Sequence, residues 1–360
     1  MTTGPLDQSW PTSELESVNA CPCCQSGSRT VAFRGVQDWS FHCAPGAWTY
    51  WDCSGCRSLC LSPRPTAALI GAAYARCYTH VDGQSSSWRQ RLKTRVRNEC
   101  FSQTLKADIL PRLVLPALLG GVVGRIGRPI VLPFGAVELA SQPGGWFLDV
   151  GCGSGHMVKL AGQLGWDAMG LEMDPLAVKT TRQSGLNIQQ GMSDQLVNHE
   201  GQLDAILCSH VLEHVHDPLA MLSQLKRTLR PGGLLLITLP NALSALRHHF
   251  GPDWRGLEAP RHLTIPSEPK LVMLLGTLGF SVTSQADSRL DTAPESFRIH
   301  RRGLMLDKTD IRLADPAGRQ SAGDPVWQRF HQTGLPPARQ RTMTEPRRVH
   351  CVRLRFPAWR

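Results

Sequence analysis

The sequence LDVGCGSGH at residues 148–156 decides the fold, because it places a strand, a turn and a helix in direct succession. An apolar run over 146–150 predicts a buried strand, three alternate glycines follow it, and a predicted helix begins at His156. The glycines are Gly151, Gly153 and Gly155. Glycine lets the backbone come close to a ligand, and a helix N-terminus offers free N–H groups. The stretch therefore predicts a ligand-binding loop.

Strand and helix patterns alternate beyond this loop. Strands are predicted over 146–150, 167–172, 186–190, 203–208, 234–239 and 280–282, and helices over 156–164, 175–184, 217–229 and 267–278. Such alternation is typical of a parallel sheet with helices on both faces. The predicted fold class is therefore α/β with a Rossmann-like sheet.

Two carboxylates are expected beside the glycine loop. Asp149 lies two residues before Gly151, and Glu172 ends the next predicted strand, 23 residues after Asp149. A carboxylate at 149 would repel a pyrophosphate but suits a cationic ligand, and one at 172 can accept hydrogen bonds from both hydroxyls of a ribose. A dinucleotide site prefers G-x-G-x-x-G, and His156 occupies the third glycine position. NAD binding and a purely structural turn remain as less favoured alternatives.

Charge and length divide the 360 residues unevenly. The net charge is +10, from 39 Lys and Arg against 29 Asp and Glu, and 289–360 holds 15 basic and 7 acidic residues. A basic tail is more typical of a solvated segment than of a nucleic-acid groove. We expect a disordered leader (1–18), a Cys-rich module (19–62), a helical connecting or lid segment (63–143), a main domain (144–288) and a poorly defined tail (289–360). The start shows no signal-peptide pattern and no apolar run reaches the length of a membrane span, so a cytoplasmic protein without a membrane partner is expected.

The cysteines indicate a metal site. Seven of the 12 precede residue 61, and they include two C-x-x-C pairs with 28 residues between them. The four expected ligands are Cys21, Cys24, Cys53 and Cys56. Four thiolates are typical of a closed, structural Zn²⁺ site. Cys23 could replace Cys24, Cys43 and Cys60 are expected not to bind, and buried cysteines without metal are the alternative.

Five motifs of the main domain carry a family resemblance. They are LDVGCGSG, GLEMDP, SHVLEHVHDP, LRPGGLLLITLPN and WRGLEAPRHL, and they resemble class I S-adenosylmethionine (SAM) methyltransferases. Within that class they look like a bacterial branch associated with saccharide and secondary-metabolite biosynthesis. CPCC, WDCSGC, SPRPT and YARCYTH look like the zinc-binding segment fused to such enzymes. The resemblance implies a class I methyltransferase sheet preceded by a small zinc-ribbon-like module.

The resemblance also assigns residues to SAM. Gly151, Gly153 and Gly155 would cradle its methionine part, Asp149 would lie near its amino group and Glu172 would hold its ribose. An acidic residue after the third strand often contacts adenine in this family, which makes Asp194 the candidate here.

His210 and His262 are the candidate catalytic bases, because a histidine pKa lies near neutrality. A structural role for either is an equal alternative. His210 begins the sequence H-x-x-E-H, which is also spelled in an inverted zinc-protease motif. Some ubiquinone-pathway O-methyltransferases have E-x-x-E-H at this point and bind a divalent metal. The favoured interpretation is that Glu213 and His214 only orient the loop.

The function expected is SAM-dependent methyl transfer to a small molecule, such as a sugar or another biosynthetic intermediate. A ribosomal-RNA methyltransferase with a zinc knuckle is the alternative within the same chemistry, and nucleic acid is a possible but not favoured partner. A non-catalytic SAM-binding protein is the third interpretation, because the tail offers only 349–356 as a strand to close the sheet.

Overall fold

A computed structural model describes residues 8–74, 88–111, 132–192, 196, 199–288, 296 and 349–355, with only the backbone described for 283–288 and 349–355. The strands in these ranges are β1 (Leu15–Glu16), β2 (Arg29–Val36), β3 (Trp48–Cys53), β4 (Leu59–Leu61), β5 (Arg64–Pro65), β6 (Trp146–Val150), β7 (Asp167–Glu172), β8 (Ile188–Gln190), β9 (Leu203–Ser209), β10 (Leu229–Leu239), β11 (Thr264–Ile265), β12 (Ser281–Ser288) and β13 (Val349–Arg355). The α-helices are α1 (Trp88–Leu105), α2 (Ala136–Ala140), α3 (His156–Gln163), α4 (Pro175–Gln183), α5 (Pro218–Thr228), α6 (Ala245–Phe250) and α7 (Glu268–Thr277).

The main sheet has seven strands in the order β12-β13-β10-β9-β6-β7-β8. Five of them, from β10 to β8, are parallel. Along the chain, α3 lies between β6 and β7, α4 between β7 and β8, and α5 between β9 and β10. This confirms the predicted Rossmann-like fold class. Because the chain order reverses beside β6, the crevice at its carboxyl end is the place where open α/β sheets bind ligands.

Apolar runs explain why these segments form strands. β6 and β9 are buried along nearly their whole length, since both faces of a parallel sheet are covered. The core on one face includes Leu148, Ile206 and Leu235 with no exposed surface. Capping fixes the helix starts, because Asp174 and Ser267 each accept a hydrogen bond from the first turn of the helix that follows.

An antiparallel pair completes the main sheet. β13 lies between β10 and β12 and runs antiparallel to both. The strand predicted over 349–356 is therefore present, and it joins the sheet about sixty residues after β12 ends. This distant segment therefore supplies the strand that links β12 to the parallel part of the sheet.

The Cys-rich segment forms a second sheet with the order β11-β4-β3-β2. β2 and β3 pair antiparallel and form a hairpin in the stretch between the two C-x-x-C pairs. β11 comes from 264–265 of the main domain and pairs antiparallel with β4. The Cys-rich segment is thus joined to the main domain by main-chain hydrogen bonds.

Two local expectations differ from the structure. The strand predicted over 234–239 begins earlier, because β10 includes 229–233, and its register with β9 shifts between Leu229 and Leu234. Gly232 has φ +82°, so the extra residues are taken up as an irregularity of the strand. In the segment 63–143, which was expected to be helical, residues 67–74 give only a short 3-10 turn, Ile70–Ala73. Among the described residues, no helix is both long and apolar enough to cross a bilayer.

Candidate active site

The glycine loop has the backbone geometry that its sequence predicts. Gly151 and Gly155 have φ +68° and +70°, a region that other residues rarely adopt. A Cβ at Gly151 would lie 2.6 Å from Val211 Cγ2, and one at Gly155 would lie 2.6 Å from Leu186 Cδ1. The loop therefore needs glycine for conformation and for space. It also lies against the segment after β9, to which Val211 belongs.

The two predicted carboxylates lie side by side at the carboxyl ends of β6 and β7. Asp149 pairs with Gly170, two residues before Glu172 in the neighbouring strand. Glu172 Oε2 accepts a hydrogen bond from the Gly153 N–H (2.7 Å), and Oε1 accepts one from the Asp174 N–H (2.9 Å). Glu172 therefore fixes the glycine loop and retains lone pairs for a ligand.

Asp149 has an unusual charge state. Its side chain is buried, and burial, followed by repulsion from Glu172, raises the pKa of Asp149 to about 8. A carboxyl group with such a pKa gains from a nearby positive charge, which favours its ionised form. The crevice is thus matched to a ligand that carries a cation close to Asp149. The predicted adenine contact, Asp194, lies outside the described residues.

His210 and Glu213 form a hydrogen-bonded pair after β9. His210 Nδ1 lies 3.2 Å from Glu213 Oε1, and the carboxyl group of Glu213 is fully buried. Desolvation opposes a charge on the His210 ring, but the hydrogen bond to Glu213 outweighs it and raises the pKa of His210. The side chain of His210 is 54% exposed, so its ring is accessible from solvent.

Residues 210–214 do not form a regular helix, which would have placed His210, Glu213 and His214 on one face. His210 has φ +54°, and only Leu212–His214 form a 3-10 turn. This turn aims Glu213 inward, where the nearest carboxylate oxygen lies 4.0 Å from His262 Nε2. Both histidines that the sequence singled out therefore converge on one buried carboxylate.

His262 lies deeper than His210. Its Nδ1 donates to the Gly256 carbonyl oxygen (2.7 Å), and its Nε2 lies 3.6 Å from Glu258 Oε2. Burial lowers the pKa of His262 to about 4, so its ring is neutral near pH 7. Despite the burial of Glu258, its pKa is lowered to about 2 by His262, which is protonated at such low pH, and by Arg255 and Arg261.

His214 completes the polar cluster. Its Nδ1 lies 2.9 Å from the Tyr74 hydroxyl and 3.1 Å from the Arg261 carbonyl oxygen. One ligand atom from each of Glu213, His214 and His262 lies within 4.8 Å of the others, so this trio could hold a metal ion. The divalent-metal alternative for the H-x-x-E-H stretch therefore has three candidate donors. Two of them, Glu213 and His214, belong to the stretch, and His262 is the third.

The Cys-rich segment holds the loop that carries His262. The Tyr50 hydroxyl lies within hydrogen-bonding distance of the carbonyl oxygens of Leu257 (2.5 Å) and His262 (2.8 Å). The Arg261 guanidinium donates to both oxygens of Asp38 and to the Ala73 carbonyl. Because these donors and acceptors are buried, their loss would leave unsatisfied polar groups.

Sequence reasoning missed Tyr50, Asp38 and Tyr74 as parts of the site. Their partners stand far away in the chain; for example, 223 residues separate Asp38 from Arg261. The only signal was the occurrence of W-R-G-L-E-A-P-R-H-L as a motif, which marks 254–263 without naming what packs on it.

Four thiols form a second polar cluster, away from the crevice. The Sγ atoms of Cys21, Cys24, Cys53 and Cys56 all lie within 4.8 Å of one another. Cys21 Sγ is 3.6 Å from Cys56 Sγ, and Cys24 Sγ is 3.4 Å from Cys53 Sγ. Tetrahedral Zn²⁺ with Zn–S bonds of about 2.3 Å needs S···S distances of about 3.8 Å, so the cluster fits such an ion after small adjustments.

Two further cysteines adjoin the four. Cys60 Sγ lies 3.7 Å from Cys21 Sγ, and Cys23 is buried beside Cys21. Hydrogen bonds from Cys23, and then from Cys56 and Cys60, lower the pKa of Cys21. Cys60 thus lies closer to the cluster than the sequence suggested, although it is not one of the mutually close four.

Comparison with known families agrees with this geometry. The family model Methyltransf_23, described as "Methyltransferase domain", matches residues 130–285, a range that includes the glycine loop, both carboxylates and His210 and His262. Residues 130–285 thus match a methyltransferase domain, in agreement with the resemblance seen in the motifs. The cysteine cluster is compatible with the zinc-binding segment of that resemblance.

Several curated relatives share part of this domain. A "Ubiquinone biosynthesis O-methyltransferase" of Xanthomonas campestris pv. campestris is 33% identical over 125 residues, which cover 33% of this chain and 52% of the relative. Its counterpart in Xanthomonas oryzae pv. oryzae is 35% identical over 125 residues, with the same coverage. The chain thus spans about half the length of these relatives.

Solved structures of methyltransferases resemble the chain more distantly. A SAM-dependent methyltransferase of Archaeoglobus fulgidus is 16% identical and covers 59% of this chain and 86% of its own, with a TM-score of 0.40. One of Mesorhizobium loti is 15% identical and covers 61% of this chain and 95% of its own, with a TM-score of 0.39.

Proposed function

We propose that this protein transfers the methyl group of SAM to a hydroxyl oxygen of a small-molecule acceptor. The observation that carries the proposal is the crevice of glycine-loop amides with the paired carboxylates Asp149 and Glu172, next to the solvent-open ring of His210. The named activity of the Xanthomonas relatives supports oxygen as the attacked atom. A screen with methyl-labelled SAM against phenols, nucleotide-sugars and RNA tests the acceptor class; labelling of RNA alone would contradict it.

The crevice residues divide the recognition of SAM. The positive charge of its amino group would pair with Asp149, and its ribose hydroxyls would donate to Glu172. The glycine-loop amides would hold its methionine part, and Gly151 lets this loop pack closely against Val211. When bound, SAM supplies an activated methyl group on a sulfonium.

SAM binding should release a proton at neutral pH. The free protein holds Asp149 with a pKa of about 8 and the ligand cation lowers it, so affinity should rise by up to about tenfold per pH unit below pH 8. Above pH 8, the amino group of the ligand, whose pKa is about 8, loses its own charge, so affinity should fall again. Titration calorimetry in buffers of different ionisation enthalpy measures the proton. Affinity that stays constant from about pH 6 to 8 would show that Asp149 is already ionised.

His210 is proposed as the base that removes the acceptor's proton. Glu213 accepts from Nδ1, so the free lone pair lies on the other ring nitrogen, Nε2, as in other carboxylate–histidine pairs. The raised pKa makes the ring a stronger base than a free histidine. His262 is the second candidate; its ring is neutral near pH 7, but its pKa of about 4 makes it a weaker base than His210.

His210→Gln should lower kcat by about 100-fold or more while the Kd for SAM changes little, since general-base catalysis contributes roughly 10²–10⁴-fold. Glu213→Gln should move the acidic limb of the kcat/KM profile to lower pH, because the raised pKa of His210 depends on the carboxylate. Labelled-SAM assays across pH measure both effects. His249→Gln, at an exposed position, is the matched control. An unchanged kcat for His210→Gln, with loss in His262→Gln, would transfer the role to His262.

The four clustered thiols are proposed to hold one structural Zn²⁺. Two observations support this role: the four Sγ atoms converge, and the segment is tied to the loop of His262. The Ser267 hydroxyl also donates to the Cys56 carbonyl oxygen (2.6 Å), which links the cluster to the start of α7. The ion would thereby keep the outer wall of the active site in place.

A further inference from the structure

Helix α1 is anchored to the domain by only one of its halves. Phe101 and Leu105 are buried against Ala136 and Leu160 of helices α2 and α3. Every residue from Asn98 to Ser102 is buried, whereas the residues from 88 to 97 are exposed or half-buried. The first ten residues of the helix, at about 1.5 Å each, therefore project from the domain over about 15 Å.

The projecting half carries positive charge and no negative charge. Its cationic residues are Arg89, Arg91, Lys93, Arg95 and Arg97, and all five are exposed. The first acidic residue of the helix is Glu99, which is buried in the anchored half. Five cations on about 15 Å of helix form a strongly positive surface.

An apolar stripe runs along the same ten residues. Trp88, Leu92 and Val96 are four residues apart and therefore share one side of the helix. Trp88 is 69% exposed and Leu92 is 44% exposed, although both are large apolar side chains. In the sequence, an arginine or a lysine stands directly before or after each residue of the stripe. Exposed apolar side chains aligned in this way mark an interaction surface.

We propose that the first half of α1 binds the surface of an anionic lipid bilayer. A helix that lies in a membrane interface combines an apolar stripe containing Trp and Leu with flanking Lys and Arg, and each cation near an anionic surface adds to the binding. No described helix is able to span the bilayer, so the contact is peripheral. This differs from the sequence-based expectation of no membrane partner, which considered only spanning segments.

Lipid fits this surface better than RNA does. Single strands are bound by aromatic rings on which successive bases stack, and Trp88 is the one aromatic side chain among residues 88–97. Leu92 and Val96 offer no stacking face, but they fit the boundary between headgroups and acyl chains. The stripe would be left in water on an RNA backbone, whereas a bilayer covers it.

Flotation of the full-length protein with vesicles tests this assignment. Binding is expected to vesicles of phosphatidylcholine with phosphatidylglycerol and not to phosphatidylcholine alone. The variant Arg89→Gln/Lys93→Gln/Arg97→Gln should bind roughly 100-fold more weakly, because three cations near the surface are lost. Leu92→Gln should weaken binding even where high salt has screened the charges. The matched control removes three charges from the tail, Arg339→Gln/Arg341→Gln/Arg347→Gln, and should bind as the wild type does.

Three outcomes would overturn the proposal. They are equal loss in the tail control, binding to neutral vesicles as strong as to anionic ones, and retention of a single-stranded RNA oligonucleotide without any vesicle binding. Thermal unfolding and SAM affinity of each variant, which should match the wild type, separate lost contact from lost fold. None of the substituted residues belongs to the crevice described above, so the vesicle result does not depend on methyl transfer.

Discussion

Glu172→Ala is expected to abolish measurable SAM binding. The carboxylate has two tasks, since it accepts from the Gly153 and Asp174 N–H groups and would also accept from the ribose hydroxyls. Hydrogen bonds to a charged acceptor are worth about 1.5–3 kcal/mol each, so two lost ribose contacts alone weaken binding by roughly 10²–10⁴-fold. The freed Gly153 N–H adds to this loss, because the glycine loop loses a support.

Titration calorimetry with SAM measures this effect, and Asp167→Ala is its control. Asp167 begins the same strand, β7, at the opposite end of the sheet, and its side chain is exposed. We expect its Kd to match that of the wild type. Asp149→Ala should behave like Glu172→Ala, because it removes the counter-charge of the ligand. Wild-type affinity in both crevice variants would contradict the proposed site.

Cys53→Ser is expected to abolish Zn²⁺ binding at the proposed site and to lower stability severely. Cys53 is 2% exposed and its Sγ lies 3.4 Å from Cys24 Sγ, so the serine leaves three thiolates in a closed site. Structural zinc contributes several kcal/mol or more to folding, which corresponds to a Tm lower by about 10 °C or more. Methyl transfer should fall as well, because Tyr50 of the same sheet holds the loop of His262.

Metal analysis and thermal unfolding test this prediction together, with Cys60→Ala as the control. Cys60 is equally buried and lies 3.7 Å from Cys21, but it is outside the proposed ligand set. It should keep about one Zn²⁺ per chain and lose only about 1 kcal/mol, as expected for a small cavity. Zinc retained by Cys53→Ser and lost by Cys60→Ala would mean that the ligand set is different.

The crevice was predictable because its parts are local. The glycine loop is one continuous stretch, and Asp149 and Glu172 each follow from a strand that ends at the same sheet edge. Parallel pairing then brings the two carboxylates together without any further information. The C-x-x-C pairs were predictable for the same reason, since each pair lies within one turn.

The surroundings of His210 and His262 could not be predicted in this way. Glu213 becomes their common partner only because the segment after β9 makes a 3-10 turn instead of a helix. Arg261 finds Asp38 across 223 residues of chain, and β13 reaches the sheet from beyond the main domain. Such contacts depend on tertiary packing, which no local pattern encodes.

The most direct test of this account is a calorimetric titration of the unmodified protein with SAM and, separately, with NAD⁺. The protein should bind one SAM per chain, through the amides of the glycine loop, a protonatable Asp149 and Glu172 as the proposed ribose ligand. The titration with NAD⁺ should give no heat of binding. Saturable binding of NAD⁺ with none of SAM would contradict the account.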